Sequence, residues 1–193
     1  MMAQAQQDDK LNLAPKKFNM WIFIFTSFMF FAALTSGFIV YSGGTGHGIN
    51  AKMPSAFMYS TAAILLSSVT MYLASAAAKG LQFAKQRMYL WLTIALAVVF
   101  FAIQVYAWYV LVTQMGIYFS NPNASQSFIY VFTGMHLVHI LAGIALLGNT
   151  LWRSYRNTPQ VKNLFNMQLS SIFWHFVDII WIYLYVFLLL NQY

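Results

Sequence analysis

The stretch from 169 to 190, Leu-Ser-Ser-Ile-Phe-Trp-His-Phe-Val-Asp-Ile-Ile-Trp-Ile-Tyr-Leu-Tyr-Val-Phe-Leu-Leu-Leu, decides the fold. It holds a single charged residue, Asp178, and is long enough to cross a bilayer as a helix, which takes about 20 apolar residues. An acid at the centre of a membrane helix costs roughly 2.5–3.5 kcal/mol on insertion scales, so it needs a partner or a polar cavity. His175 stands three residues earlier, one turn away on the same face. Asp178 is also the only carboxylate after Asp9.

Four further apolar runs have the same character, and the five predicted spans are about 18–41, 55–78, 88–115, 128–151 and 169–190. Hydrophobic residues make up 61% of the 193 and charged residues 7%. A soluble domain of this size needs far more polar surface, so the class is integral membrane. Barrel strands are shorter and alternate in polarity. The expected architecture is all-α: a bundle of five transmembrane helices forming one membrane domain, 17–193, behind a polar cytosolic tail, 1–16, whose first dozen residues are expected to be disordered.

Nine of the ten basic residues fall at one end of this layout. Lys10, Lys16 and Lys17 precede the first span; Lys79, Lys85 and Arg87 separate the second and third; Arg153, Arg156 and Lys162 separate the fourth and fifth. Only Lys52 falls on the other side. The positive-inside rule then predicts a cytoplasmic N-terminus and an external C-terminus. The formal charge of +7 is spread over three cytosolic segments and forms no single patch. Attraction to anionic headgroups accounts for it and no nucleic-acid partner is implied. No cleavable signal peptide is expected, because the first apolar run is too long. The absence of cysteine excludes disulfides and thiolate-ligated metal. The glycine-containing segment 42–54 is expected to be a flexible external loop, as is 116–125.

Small residues mark expected packing faces: Ala33 with Gly37 on the first span, and Ser60, Ser67 and Ala74 on the second. Trp174 and Trp181 lie deep enough to pack against protein or buried lipid chains. In the fourth span, Thr133-Gly134-Met135-His136-Leu137-Val138-His139 places two histidines one turn apart, on a stripe with Gly143. Two such histidines invite a haem or metal reading. Residues three apart on one helix cannot be opposite axial ligands of one haem, and hydrogen bonding to neighbouring helices or headgroups is the favoured reading. For His175 and Asp178 the choice is between a structural polar link, satisfied by the fourth-span histidines or a partner subunit, and a proton relay. The first three spans supply no acid for a relay, so the link is favoured. Gln104 is the main polar residue of the third span.

Two of these segments resemble the signature of subunit III of the haem–copper oxidases: 133–139 with Gly143, and Trp174-His175-Phe176-Val177-Asp178 with Trp181. Gln104, after Phe100-Phe101, is similar to a Phe…Gln element of the same family, and five spans match its shorter bacterial form. The resemblance implies an accessory subunit of a proton-pumping terminal cytochrome c oxidase in the bacterial inner membrane. Such a subunit carries no redox centre, haem and copper residing on partners. It packs on subunits I and II, holds phospholipids and can enter a larger respiratory supercomplex. The contact residues so implied are Gln104, His136, His139, Trp174, His175, Asp178 and Trp181, with no catalytic or metal-binding residue. The chain departs from the family at two places. Phe28 follows Ser27 where the family has glutamate, and Ala107 stands where it often has another. A quinol oxidase subunit, a nitric oxide reductase-associated relative, an autonomous transporter and a bis-histidine haem carrier are the alternatives.

Overall fold

In a computed structural model, which describes residues 2–46, 48–51, 53–120, 122–156 and 159–192, the chain forms five helices. They are α1 (Met2–Thr45), α2 (Ala56–Lys79), α3 (Phe83–Met115), α4 (Ala124–Tyr155) and α5 (Gln160–Leu190). All five are long and apolar enough to cross a membrane. Lys52 lies outside the described residues.

The helices outrun the predicted spans at the basic end. α1 continues through the polar segment to Met2, so the expected disordered tail is helical here, with Pro15 inside the helix. Its Ala, Gln, Lys and Leu content favours helix. Lys85 and Arg87 belong to α3, Arg153 to α4 and Lys162 to α5. Apolar periodicity marks where a helix is in lipid, not where its backbone hydrogen bonding stops.

α2, α3, α4 and α5 close a ring: α2 packs on α3, α3 on α4, α4 on α5, and α5 back on α2. α1 lies outside it, touching α4 and α5. The largest fully buried side chains include Trp174, Trp181, Phe100, Phe132 and Phe173. Both tryptophans of α5 therefore pack against protein. On α2 the small residues Ser60, Ser67 and Ala74 are buried as expected. On α1 the expected face is not used within the chain: Ala33 and Gly37 are exposed, and Phe31, Thr35 and Phe38 face inward. Outside the ring, α1 fills its contact with aromatic rings, Phe38 meeting Phe128, Phe132 and Phe187.

The connection before α2 is pinned where a flexible loop was expected. Ile49 is fully buried. Asn123 and Gln126 at the start of α4 donate to the carbonyls of Gly48 and Ile49. The Ala51 N–H donates to the Gln192 carbonyl, and the Met53 N–H to the Gln192 side chain.

Candidate functional site: the polar interior of the helix ring

One unit recurs through the interior. A hydroxyl on one helix donates its proton to a carbonyl of its own preceding turn, and its lone pair accepts an N–H from the next helix. Trp174 Nε1 donates to Ser67 Oγ at 3.1 Å, while Ser67 donates to the Ile64 carbonyl. Trp181 Nε1 donates to Thr61 Oγ1 at 3.0 Å, with Thr61 bonded to the Phe57 carbonyl. Trp108 Nε1 donates to Thr133 Oγ1 at 2.9 Å, with Thr133 bonded to the Ile129 carbonyl. Gln104 Nε2 donates to Ser60 Oγ at 2.9 Å, with Ser60 bonded to the Phe57 carbonyl. Back-bonding lets Ser and Thr live in an apolar helix without an idle donor. Their free lone pairs then become acceptors for large side chains that must bury an N–H.

Other polar pairs tie the remaining helices. Thr70 meets Thr93 at 2.8 Å between α2 and α3, and Thr150 meets Ser170 at 2.8 Å between α4 and α5. Thr35 meets Tyr183 at 2.7 Å between α1 and α5. At the basic end Gln86 and Asn163 exchange two bonds, at 3.2 and 3.1 Å. Arg87 reaches from α3 to the end of α4, donating to the Ser154 hydroxyl and carbonyl. None of these pairs was read from the sequence. Their signal was there, as polar residues facing inward on otherwise apolar runs.

The singled-out residues do not form one cluster. His175 Nδ1 lies 2.8 Å from Ser68 Oγ on α2 and 3.8 Å from Asp178 Oδ2. Asp178 is buried, with neither oxygen hydrogen-bonded among the described residues. The two histidines of α4 do not supply its partner, contrary to expectation, because the turn between them sends them to different neighbours. His139 donates from Nδ1 to the Met135 carbonyl at 2.8 Å, and its Nε2 lies 3.3 Å from Ser27 Oγ on α1. His136 is fully buried between Phe100 and Trp181, with ring centroids 5.8 and 5.0 Å away, and makes no hydrogen bond among the described residues. Among those residues no group of three or more His, Cys, Asp or Glu is placed to hold a metal ion.

Phe28 points outward and is half exposed, whereas Ser27 beside it is buried against His139. Ala107 is fully buried.

The fold and its interior define an all-helical, multi-pass membrane protein whose polar residues lock helices together. The profile described as Cytochrome c oxidase subunit III matches residues 12–192, and the chain belongs to that family. It is similar to the cytochrome c oxidase subunit 3 of Alkalihalophilus pseudofirmus, 25% identical over 86% of this chain and 81% of that protein. It is 31% identical to the Synechocystis cytochrome c oxidase subunit 3 over 64% of this chain and 51% of that longer protein. A cytochrome bo(3) ubiquinol oxidase subunit 3 from Buchnera aphidicola is 25% identical over 95% of this chain and 90% of its own length. The chain is accordingly subunit III of a haem–copper oxidase, a component of an oxidoreductase complex in the cytoplasmic membrane.

Proposed function

We propose that the chain is a non-catalytic subunit of a terminal oxidase that takes electrons from cytochrome c, and that it stabilises the catalytic subunit I and holds phospholipids at its flank. The observation that carries this reading is how the interior is used. Indoles, hydroxyls and amides are spent on one another across helix interfaces, in the four repeated units and the Gln86–Asn163 exchange. Such links rigidify a bundle in lipid, where helices have no hydrophobic reason to associate. The histidines support a chain without haem. His136 is enclosed by two aromatic rings, His139 is turned to α1 and His175 to Ser68. Haem and copper then belong on the partner subunits I and II. The cytochrome c donor rests on the relatives' names, and the Buchnera relative keeps a quinol donor as the second reading. The basic ends of the helices support a cytoplasmic N-terminus, and membership of a larger respiratory supercomplex remains part of the proposal.

The test is purification in mild detergent. The chain should come with a large haem–copper subunit, and the complex should oxidise reduced cytochrome c in preference to quinol. The isolated chain should show no Soret band. Stoichiometric haem on the isolated chain would overturn the non-catalytic role, and a preference for quinol would overturn the donor.

A further inference from the structure

Between α3 and α4, at the basic end of the bundle, lies a groove of about 400 Å3. Its lining includes Trp91 on α3 and Ile144, Gly148, Trp152 and Tyr155 on α4. Gly148 makes the floor, since a β-carbon added there would meet nothing within 4 Å. Two of the aromatic walls each carry a guanidinium: Arg156 stands 4.2 Å over the Trp152 ring and Arg87 4.4 Å over the Tyr155 ring. Arg87 is spent on the end of α4 through Ser154. The guanidinium of Arg156, lying over an indole, keeps its N–H edges in its own plane, the geometry that grips phosphate oxygens in pairs.

The groove's layers run in the order of a lipid. A cation stands at the rim, amphipathic rings at the level of an interfacial aromatic belt, and below them Ile144 and the open notch over Gly148. Small residues repeated along a face favour the close approach of another helix. This face instead reads Ile144, Gly148, Trp152, a notch one residue wide that suits a flexible chain. The charge is unbalanced too, because neither α3 nor α4 contains a carboxylate. The ammonium of a zwitterionic headgroup would find no acid on either helix, whereas a net-negative headgroup is complemented.

We propose that this groove binds one anionic glycerophospholipid, its phosphate on Arg156 and an acyl chain over Gly148 between Trp91 and Trp152. The proposal rests on the lipid-holding part of the proposed function and gives it a place and a headgroup class. The test uses the whole oxidase, delipidated and re-exposed to phosphatidylglycerol or phosphatidylcholine, with bound lipids counted by native mass spectrometry. Gly148→Leu improves helix propensity, and its β-carbon meets nothing within 4 Å. It should bind one phosphatidylglycerol fewer per complex with every subunit present. Arg156→Gln should still bind lipid but lose the preference for phosphatidylglycerol. An unchanged count in Gly148→Leu, beside a wild type that does bind phosphatidylglycerol, would overturn the site. Loss of a neighbouring subunit from Gly148→Leu would overturn it in favour of a protein occupant. A wild-type complex that binds no phosphatidylglycerol would overturn the lipid-holding reading itself.

Discussion

Gly143 on α4 lies against the indole of Trp174 on α5: a β-carbon at 143 would stand 2.9 Å from Cζ3 and 3.0 Å from Cε3. The ring cannot swing away cheaply. It is fully buried, and its Nε1 is bonded to Ser67 on the far side. One contact therefore fixes the spacing of α4 and α5, and through Ser67 the position of α2.

Gly143→Ala should therefore destabilise the bundle although alanine is the better helix former. Overpacking a filled core costs about 1–3 kcal/mol, against about 1 kcal/mol gained in propensity. Thermal unfolding in detergent should show a lowered midpoint. Gly37→Ala, where a β-carbon meets nothing within 4 Å, should be neutral or mildly stabilising. Equal effects at the two glycines would contradict the packing argument.

The indole–hydroxyl units predict measurable coupling. In a double-mutant cycle of Trp174→Phe and Ser67→Ala, the interaction energy should be about 0.6 kcal/mol and no more than about 1.7, the range found for membrane hydrogen bonds. The pair Trp174→Phe and Thr133→Ala should show none, because Thr133 serves Trp108. Coupling in the second cycle and not in the first would refute the pairing.

How much of this was legible in the sequence follows from what each signal depends on. Apolar runs and basic flanks gave five membrane helices, because transfer to lipid acts on each segment separately. The Trp-His-Phe-Val-Asp string named the helix on which the interior turns. Gly143 was visible as part of a stripe, but its reason is a ring on another helix. His136 and His139 were grouped because they lie one turn apart on one helix. In the ring one turns to Phe100 and Trp181, the other to α1. The small residues on α1 meet no helix of this chain: Ala33 and Gly37 permit close approach without requiring it. Single-helix properties were readable, and choices between neighbouring helices were not.

Gln86 and Asn163 provide a test at the basic end. Both are buried and exchange two hydrogen bonds. Replacing either one with leucine strands the other, at about 1–3 kcal/mol for a buried unsatisfied group. Replacing both should cost less than either single change. If the double variant is the least stable of the three, the pair is not an isolated exchange.

Orientation is tested at the chain's end. The basic residues cluster where α1, α3 and α5 begin and α2 and α4 finish, so the positive-inside rule places that end in the cytoplasm. A reporter fused after Gln192 should be active outside, and one fused ahead of Met2 inside. Cytosolic activity of the C-terminal fusion would refute the proposed orientation.

Asp178 carries the sharpest choice. Its polar neighbours include His175 on its own helix and the Ser68 hydroxyl on α2, which also meets the His175 ring, so the local unit spans α2 and α5. If the acid is structural, Asp178→Ala and Asp178→Asn should weaken retention of the subunit in the complex more than they slow initial turnover. Ser68→Ala, acting on the same unit, should reproduce part of that loss. His139→Phe should not, since His139 is turned to Ser27 on α1. A proton relay predicts the reverse: full retention, slowed early turnover, and rescue by a carboxylate of different length in Asp178→Glu. Measuring retention and initial rate on the same preparations separates the two. Complete retention of Asp178→Asn with impaired early turnover would sink the structural reading, because an acid that only joins helices has no way to slow an intact enzyme.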